Sequence, residues 1–179
     1  MSILCFVHNL SDTLYDTIIT LSRQAPICLC IGSDRVTGDC FGPLVGEHLK
    51  NLCRIETFVY GTLGLPVTAL NLIETVNFIK RKHPFSPILA VDSALGDARE
   101  VGSIRVCNDG IYPGAATGKR LPKVGDFSIT ATVAPVGNIS NLYGVQLGLV
   151  NRLAVQAANA ISNCTKKLQT NLYSTFIYA

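Results

Sequence analysis

Apolar residues recur along the chain with two different periods, and these periods predict that strands and helices alternate. Short continuous apolar runs are typical of buried strands, and they predict strands over residues 27–32, 55–60, 87–92, 102–107 and 127–133. Apolar residues spaced three or four apart predict helices over residues 10–23, 43–52, 66–82 and 141–167. Residues 173–178 are predicted to form an edge strand or a packed extension.

This alternation predicts an α/β fold with a mostly parallel sheet. The length of 179 residues fits one domain, residues 1–179. Hydrophobic residues make up 48% of the chain and charged residues 15%, which excludes disorder and favours a well-covered core. The apolar stripe of the last predicted helix suits either that core or the interface of a homo-oligomer.

The distribution of charge argues against a nucleic-acid partner. The net charge is +3, and basic residues are scattered except for Lys80, Arg81 and Lys82 and for Lys166 and Lys167. Neither cluster is interleaved with aromatic residues, as a platform for single strands would be. Both clusters are predicted at the ends of helices, where cations complement the helix dipole.

The cysteines and the hydropathy pattern predict a cytoplasmic protein. The chain has seven cysteines, an odd number, and no C-x-x-C pair, so neither a disulfide framework nor a zinc site is expected. No cofactor is predicted. The first residues lack the pattern of a signal peptide, and no apolar run approaches the roughly 18 residues that a membrane span needs, so no membrane partner is expected.

Two carboxylates stand out among the twelve acidic residues when each is placed on the predicted sheet. Ligands of open parallel sheets bind beyond the carboxyl ends of the strands. Asp39 follows the first strand at the start of a helix, and Asp92 closes the apolar run of the third strand. Taken singly, Asp39 is explained as a helix cap and Asp92 as a turn residue. Taken together, they predict a paired site in which the carboxylates share a proton to activate water or hold a divalent metal.

Other catalytic arrangements are poorly supported. Cys40 lies near a predicted helix N-terminus, but His8, His48 and His83 are not placed to act as its base. There is no G-x-S-x-G elbow for a serine nucleophile. Two glycine-containing loops are predicted to line the cleft and bind substrate through Gly61, Thr62, Gly64, Gly110 and Gly114. Neither loop has a nucleotide-binding pattern.

Three segments of the chain resemble the motifs of the spore germination protease. They are residues 32–43, 91–95 and 108–120, which match in order and spacing within residues 27–140. This chain is shorter than germination protease and looks most like the YyaC family of sporulation proteins, which is related in fold to the hydrogenase maturation proteases. The resemblance implies a three-layer α/β/α sandwich of the phosphorylase/hydrolase-like type. It also implies that the catalytic aspartates are Asp39 and Asp92.

The same resemblance sets the functional expectations. It implies a sporulation-associated peptidase that acts on proteins or peptides, with small acid-soluble spore proteins as candidates, in the cytoplasm of the forespore or the spore interior. In hydrogenase maturation proteases, the two matching positions bind nickel with a later histidine, but this chain has no histidine after His83. Because the chain lacks the extensions of germination protease, a non-catalytic regulatory or binding protein is the alternative. A metal-dependent hydrolase, in which Asp39 and Asp92 bind the metal, is a further alternative.

Overall fold

A computed structural model describes residues 10–22, 24–114 and 121–177 of the chain. Within these ranges, five strands form one sheet and four α-helices flank it. The strands are β1 (Ile27–Cys30), β2 (Val59–Tyr60), β3 (Ile88–Gly96), β4 (Ile104–Cys107) and β5 (Phe127–Pro135). The helices are α1 (Leu10–Leu21), α2 (Phe41–Asn51), α3 (Leu72–Lys82) and α4 (Leu147–Ile177).

The sheet is mostly parallel, with the strand order β2-β1-β3-β5-β4. Among the strands that the structure describes, only β4, at one edge of the sheet, is antiparallel to its neighbour, β5. The carboxyl ends of β1, β3 and β5 therefore meet at one edge of the sheet. This is the edge where sequence reasoning places the functional site.

The two faces of the sheet have separate cores, so the molecule has three layers. On one face, Leu89 and Val91 of β3 pack with apolar residues of α1, α2 and α4. On the other face, Ile88 and Ala90 pack with residues of α3. Successive strand residues point to opposite faces, so Asp92 lies on the α3 face.

Helix α2 packs against β1 at closer range than a helix with larger side chains allows. A Cβ atom added at Gly42 would lie 2.1 Å from the Ile31 carbonyl oxygen, and one added at Gly46 would lie 1.9 Å from the Gly61 carbonyl oxygen. These two glycines are four residues apart and so share one face of the helix. Their contacts fix the start of α2, and with it the loop that carries Asp39, against the end of β1.

Most predicted elements are present, but several of their bounds differ. The second strand is reduced to two residues, and α3 begins six residues later than predicted, at Leu72. Helix α4 begins at Leu147, after a short 3-10 helix, Ile139–Leu142. It continues to Ile177, so residues 173–177 are helical and the predicted alternative of a terminal edge strand is wrong. The four-residue spacing of Leu168, Leu172 and Phe176 continues the helical period past the basic pair that was predicted to end the helix.

The third strand also differs from its prediction. It does not end at Asp92 but continues to Gly96, because β5 pairs with it as far as Gly96 and Pro135. Asp92 is thus a strand residue and not a turn residue. None of the helices in the described part of the chain is long and apolar enough to cross a membrane.

Candidate active site

A cavity of about 550 Å³ opens at the carboxyl edge of the sheet. Asp39 and Asp92 both line it. Its floor is a row of residues from three neighbouring strands: Ile31 after β1, Asp92 in β3 and Thr130 in β5. Asp92 pairs with Thr130, and Ile31 follows the last paired residue of β1, so the three side chains lie side by side on the α3 face.

Asp39 reaches the cavity from a short 3-10 helix, Thr37–Asp39, that joins β1 to α2. Its backbone is held at both ends, because Asp39 N donates to the Val36 carbonyl at 2.8 Å and the Asp39 carbonyl accepts from Ser33 N at 3.1 Å. The helix cap position of α2 is Cys40, with no side-chain cap. The simpler explanation of Asp39 as a helix cap is therefore not what the structure shows.

The environment of Asp92 favours its protonated form. The residue is only 8% exposed, and burial together with the negative charge of Asp39 raises the pKa of its carboxyl well above the usual value. The Ser93 amide, which donates to Asp92 Oδ1 at 2.8 Å, opposes this shift without cancelling it. Asp92 is accordingly a neutral acid over the pH range in which Asp39 ionises.

Asp39 is less deeply buried and ionises first. Burial raises the pKa of Asp39 to about 6, and a hydrogen bond from the Ser33 backbone opposes the rise. Asp92 is still neutral when Asp39 loses its proton, so only Asp92 must ionise beside an existing negative charge. Near neutral pH this arrangement provides one carboxylate base and one carboxylic acid in the same cavity.

The described residues do not fit the nickel set of two aspartates and a histidine. No group of three or more His, Cys, Asp or Glu residues in the described ranges is placed to hold a metal ion. His48 Nε2 lies 3.0 Å from Asn151 Oδ1, and His83 Nε2 lies 2.9 Å from Tyr60 Oη. Neither histidine joins the two carboxylates, which lack a third ligand among these residues.

Cys40 is not set up as a nucleophile. Its Sγ donates to the Ser33 carbonyl at 3.3 Å. Burial, followed by the charges of Asp39 and Asp34, raises the pKa of its thiol, which is the opposite of what a reactive cysteine needs. With His48 engaged by Asn151, the structure gives no support to a Cys–His pair.

Only one of the five residues predicted to bind substrate lines the cavity, namely Gly114. Gly61 and Thr62 follow β2 at the far edge strand, and Gly61 packs against Cys30, where a Cβ would lie 1.9 Å from a carbonyl oxygen. Gly64 lies in open space. Gly110 packs on the backbone of Val124, 2.4 Å from where its Cβ would be. These four residues are thus not among the described residues that line this cavity, and their part in binding substrate stays a prediction.

Sequence reasoning missed most of the cavity wall. Ser93, Ala94 and Leu95 of β3 line it, and the exposed side chains of Tyr112 and Val136 lie along it. The strand-like pattern that continues past Asp92 was the available signal for the first three. The remainder of the third motif, residues 115–120, lies outside the described residues.

Comparison with known proteins agrees with this architecture. Residues 5–164 match a family model described as "Protein of unknown function (DUF1256)". The "Uncharacterized protein YyaC" of Bacillus subtilis (strain 168) is 39% identical over 154 residues, covering 84% of this chain and 75% of that protein. A crystal structure of the NiFe hydrogenase maturation protease HycI from Thermococcus kodakarensis KOD1 matches with a TM-score of 0.56 and 21% identity, covering 86% of this chain and 99% of that one. The predicted α/β fold and its likeness to hydrogenase maturation proteases are confirmed.

Proposed function

The chain belongs to the DUF1256 family, whose description assigns no function, and we propose that it is a peptidase in which Asp39 and Asp92 act together to hydrolyse a peptide bond. The observation that carries the proposal is that both side chains line one cavity at the carboxyl edge of the sheet. The likeness in fold to HycI, itself named a protease, adds support.

In the proposed reaction, the two carboxyl groups have different tasks. Asp39, as the carboxylate, takes a proton from a water molecule while the water oxygen attacks the carbonyl carbon. Asp92, as the acid, gives its proton to the carbonyl oxygen. When the tetrahedral intermediate collapses, the C–N bond breaks, Asp39 returns its proton to the leaving nitrogen, and Asp92 recovers a proton from the former carbonyl oxygen. The proton balance of both groups is restored after each turnover.

The proposed substrates are proteins or peptides, with small acid-soluble spore proteins as the first candidates. The support for this choice is the resemblance of residues 32–43 and 91–95 to the motifs of germination protease. A role in sporulation and a place in the spore or forespore cytoplasm belong to the same proposal.

Cleavage by the purified full chain tests the proposal. We expect the wild-type protein to cleave members of a peptide library or a small acid-soluble spore protein, as detected by mass spectrometry. Asp39→Asn and Asp92→Asn should each lower turnover by about 100-fold or more, since general acid–base groups contribute roughly that much. Asp34→Asn is the matched control, because Asp34 lies in the same loop but is exposed and does not line the cavity.

The other outcomes are equally informative. Undiminished turnover in either cavity variant would overturn the assignment of the aspartates. Binding of peptides without any cleavage would support the non-catalytic alternative, in which the fold of a protease serves only for recognition.

A further inference from the structure

Strand β3 is longer than its neighbour β1, and this leaves part of its edge without a partner strand. Pairing between β1 and β3 ends at Cys30 and Val91, whereas pairing between β3 and β5 continues to Gly96 and Pro135. Among the described residues, the segment from Ser93 to Gly96 therefore has a strand neighbour on one side only.

The chain leaves the side of β3 because of the geometry at Gly32. This residue has a φ of +142°, and its amide donates to the Val67 carbonyl at 2.9 Å, on the side away from β3. A Cβ at this position would lie 2.1 Å from the Asp39 carbonyl oxygen, so the turn requires glycine. Among the described residues, no strand therefore occupies the place beside β3, next to Asp92, where β1 would continue.

The alternation of backbone groups along β3 identifies which of them face this space. The Val91 carbonyl accepts from Ile31 N at 2.7 Å, on the β1 side, and the Gly96 carbonyl accepts from Val136 N at 2.8 Å, on the β5 side. Odd-numbered residues of β3 therefore direct N–H and C=O towards β1. The Ser93 N–H donates to Asp92 Oδ1. Within the part of the chain that the structure describes, no strand pairs with the Ser93 carbonyl or with either backbone group of Leu95 on this side, so they can pair with a new strand.

The cavity runs along this same edge. Ser93, Ala94 and Leu95 all line it, together with Asp39 and Asp92. Successive side chains of a strand point to opposite faces, so three consecutive residues border one cavity only where it follows the backbone itself.

We propose that the substrate binds as an extended polypeptide segment that pairs with the Ser93–Leu95 edge of β3 and continues the sheet where β1 stops. This inference rests on the proposed peptidase function and names its mode of substrate recognition. In a parallel arrangement, one substrate residue donates to the Ser93 carbonyl and accepts from Leu95 N. Backbone pairing of this kind places the neighbouring peptide bond over the two aspartates.

The walls of the cavity select the side chains of this segment. Apart from the two aspartates and the phenol of Tyr112, the described lining residues carry no ionisable side chain. Val136 and Leu142 add apolar surface on the side of the cavity that follows β5. The described walls therefore favour an extended segment with small or apolar side chains beside the cleaved bond, because an acidic side chain there would lose its hydration and be repelled by the Asp39 carboxylate.

Binding of N-methylated peptides tests the pairing directly. The probes are unstructured eight-residue peptides with apolar central residues, and binding is measured on the Asp39→Asn protein by fluorescence polarisation. A series in which each backbone N–H of the tightest-binding peptide is methylated in turn should show losses of about tenfold or more at alternate positions, with little change between them. Losses without a period of two, or no peptide binding at all, would overturn the pairing.

Amide hydrogen exchange, measured on the same slowly cleaving Asp39→Asn protein, gives a second readout. Bound peptide should slow exchange of the Leu95 N–H by about tenfold or more, while the Ala94 N–H, which faces β5, should change little. Unchanged exchange at Leu95 in the presence of saturating peptide would contradict the proposal. These binding results are separate from cleavage. Losses of affinity at alternate positions without any cleavage would contradict the peptidase function and support the strand pairing. Cleavage without such losses would support the peptidase function and contradict the strand pairing.

Discussion

Replacing Asp39 with asparagine should stabilise the folded protein at neutral pH, even though it removes the proposed base. The reason is that burial raises the pKa of Asp39 from 3.8 to about 6 in the folded state. Between these two values the folded chain binds a proton that the unfolded chain releases. The contribution of Asp39 to stability is therefore greatest below pH 3.8 and is lost as the pH rises through 6.

The size of the effect follows from the shift. About two pKa units at 1.36 kcal/mol per unit give a cost of ionising Asp39 of about 3 kcal/mol above pH 7, as an upper limit because the side chain is partly exposed. Urea denaturation of wild type and Asp39→Asn at pH 4.5 and at pH 8 measures it. The gain of the variant at pH 8 should exceed its gain at pH 4.5 by up to about 2 kcal/mol, whereas Asp34→Asn, at an exposed position, serves as the control. Equal effects of Asp39→Asn at the two pH values would refute the burial argument.

Three further predictions concern packing and chemistry. Gly46→Ala should destabilise the fold by about 1–3 kcal/mol in urea denaturation, because its Cβ would lie 1.9 Å from the Gly61 carbonyl oxygen. Gly148→Ala, with open space around it, should not destabilise the fold. Equal effects of the two substitutions would contradict the close packing of α2. Extended dialysis against a chelator should leave peptide cleavage intact, since the described residues offer the carboxylates no third ligand; loss of cleavage that added metal restores would revive the metal-dependent hydrolase. Cys40→Ala should retain cleavage within about threefold, because burial raises the pKa of that thiol, and a complete loss would point to a cysteine mechanism.

The order of the elements and the edge that carries the cavity could be predicted from hydrophobic periodicity. The apolar runs at residues 27–32 and 127–133 correspond to β1 and β5, because buried parallel strands are almost uniformly apolar. The rule that functional groups collect at the carboxyl ends of parallel strands directs attention to Asp39 and Asp92, which line one cavity.

The rest depends on tertiary contacts that no local pattern records. Asp92 was predicted as a strand end because the apolar run stops there, yet β5 holds the strand to Gly96 through backbone bonds that are indifferent to side-chain polarity. Gly61 was predicted at the cleft because it follows a strand, but a Cβ there would lie 1.9 Å from the Cys30 carbonyl oxygen of β1, so close packing already accounts for this glycine. Glycine at a strand end has the same appearance in sequence whether it faces a ligand or a packed helix.

The pH dependence of peptide cleavage tests the central claim most directly, namely that one carboxyl group is ionised while the other keeps its proton. The ratio kcat/KM should rise with pH through about 6 as Asp39 ionises, and should fall again at higher pH as Asp92 loses its proton. A rate that is independent of pH from 5 to 7, or one that decreases across that interval, would contradict the account.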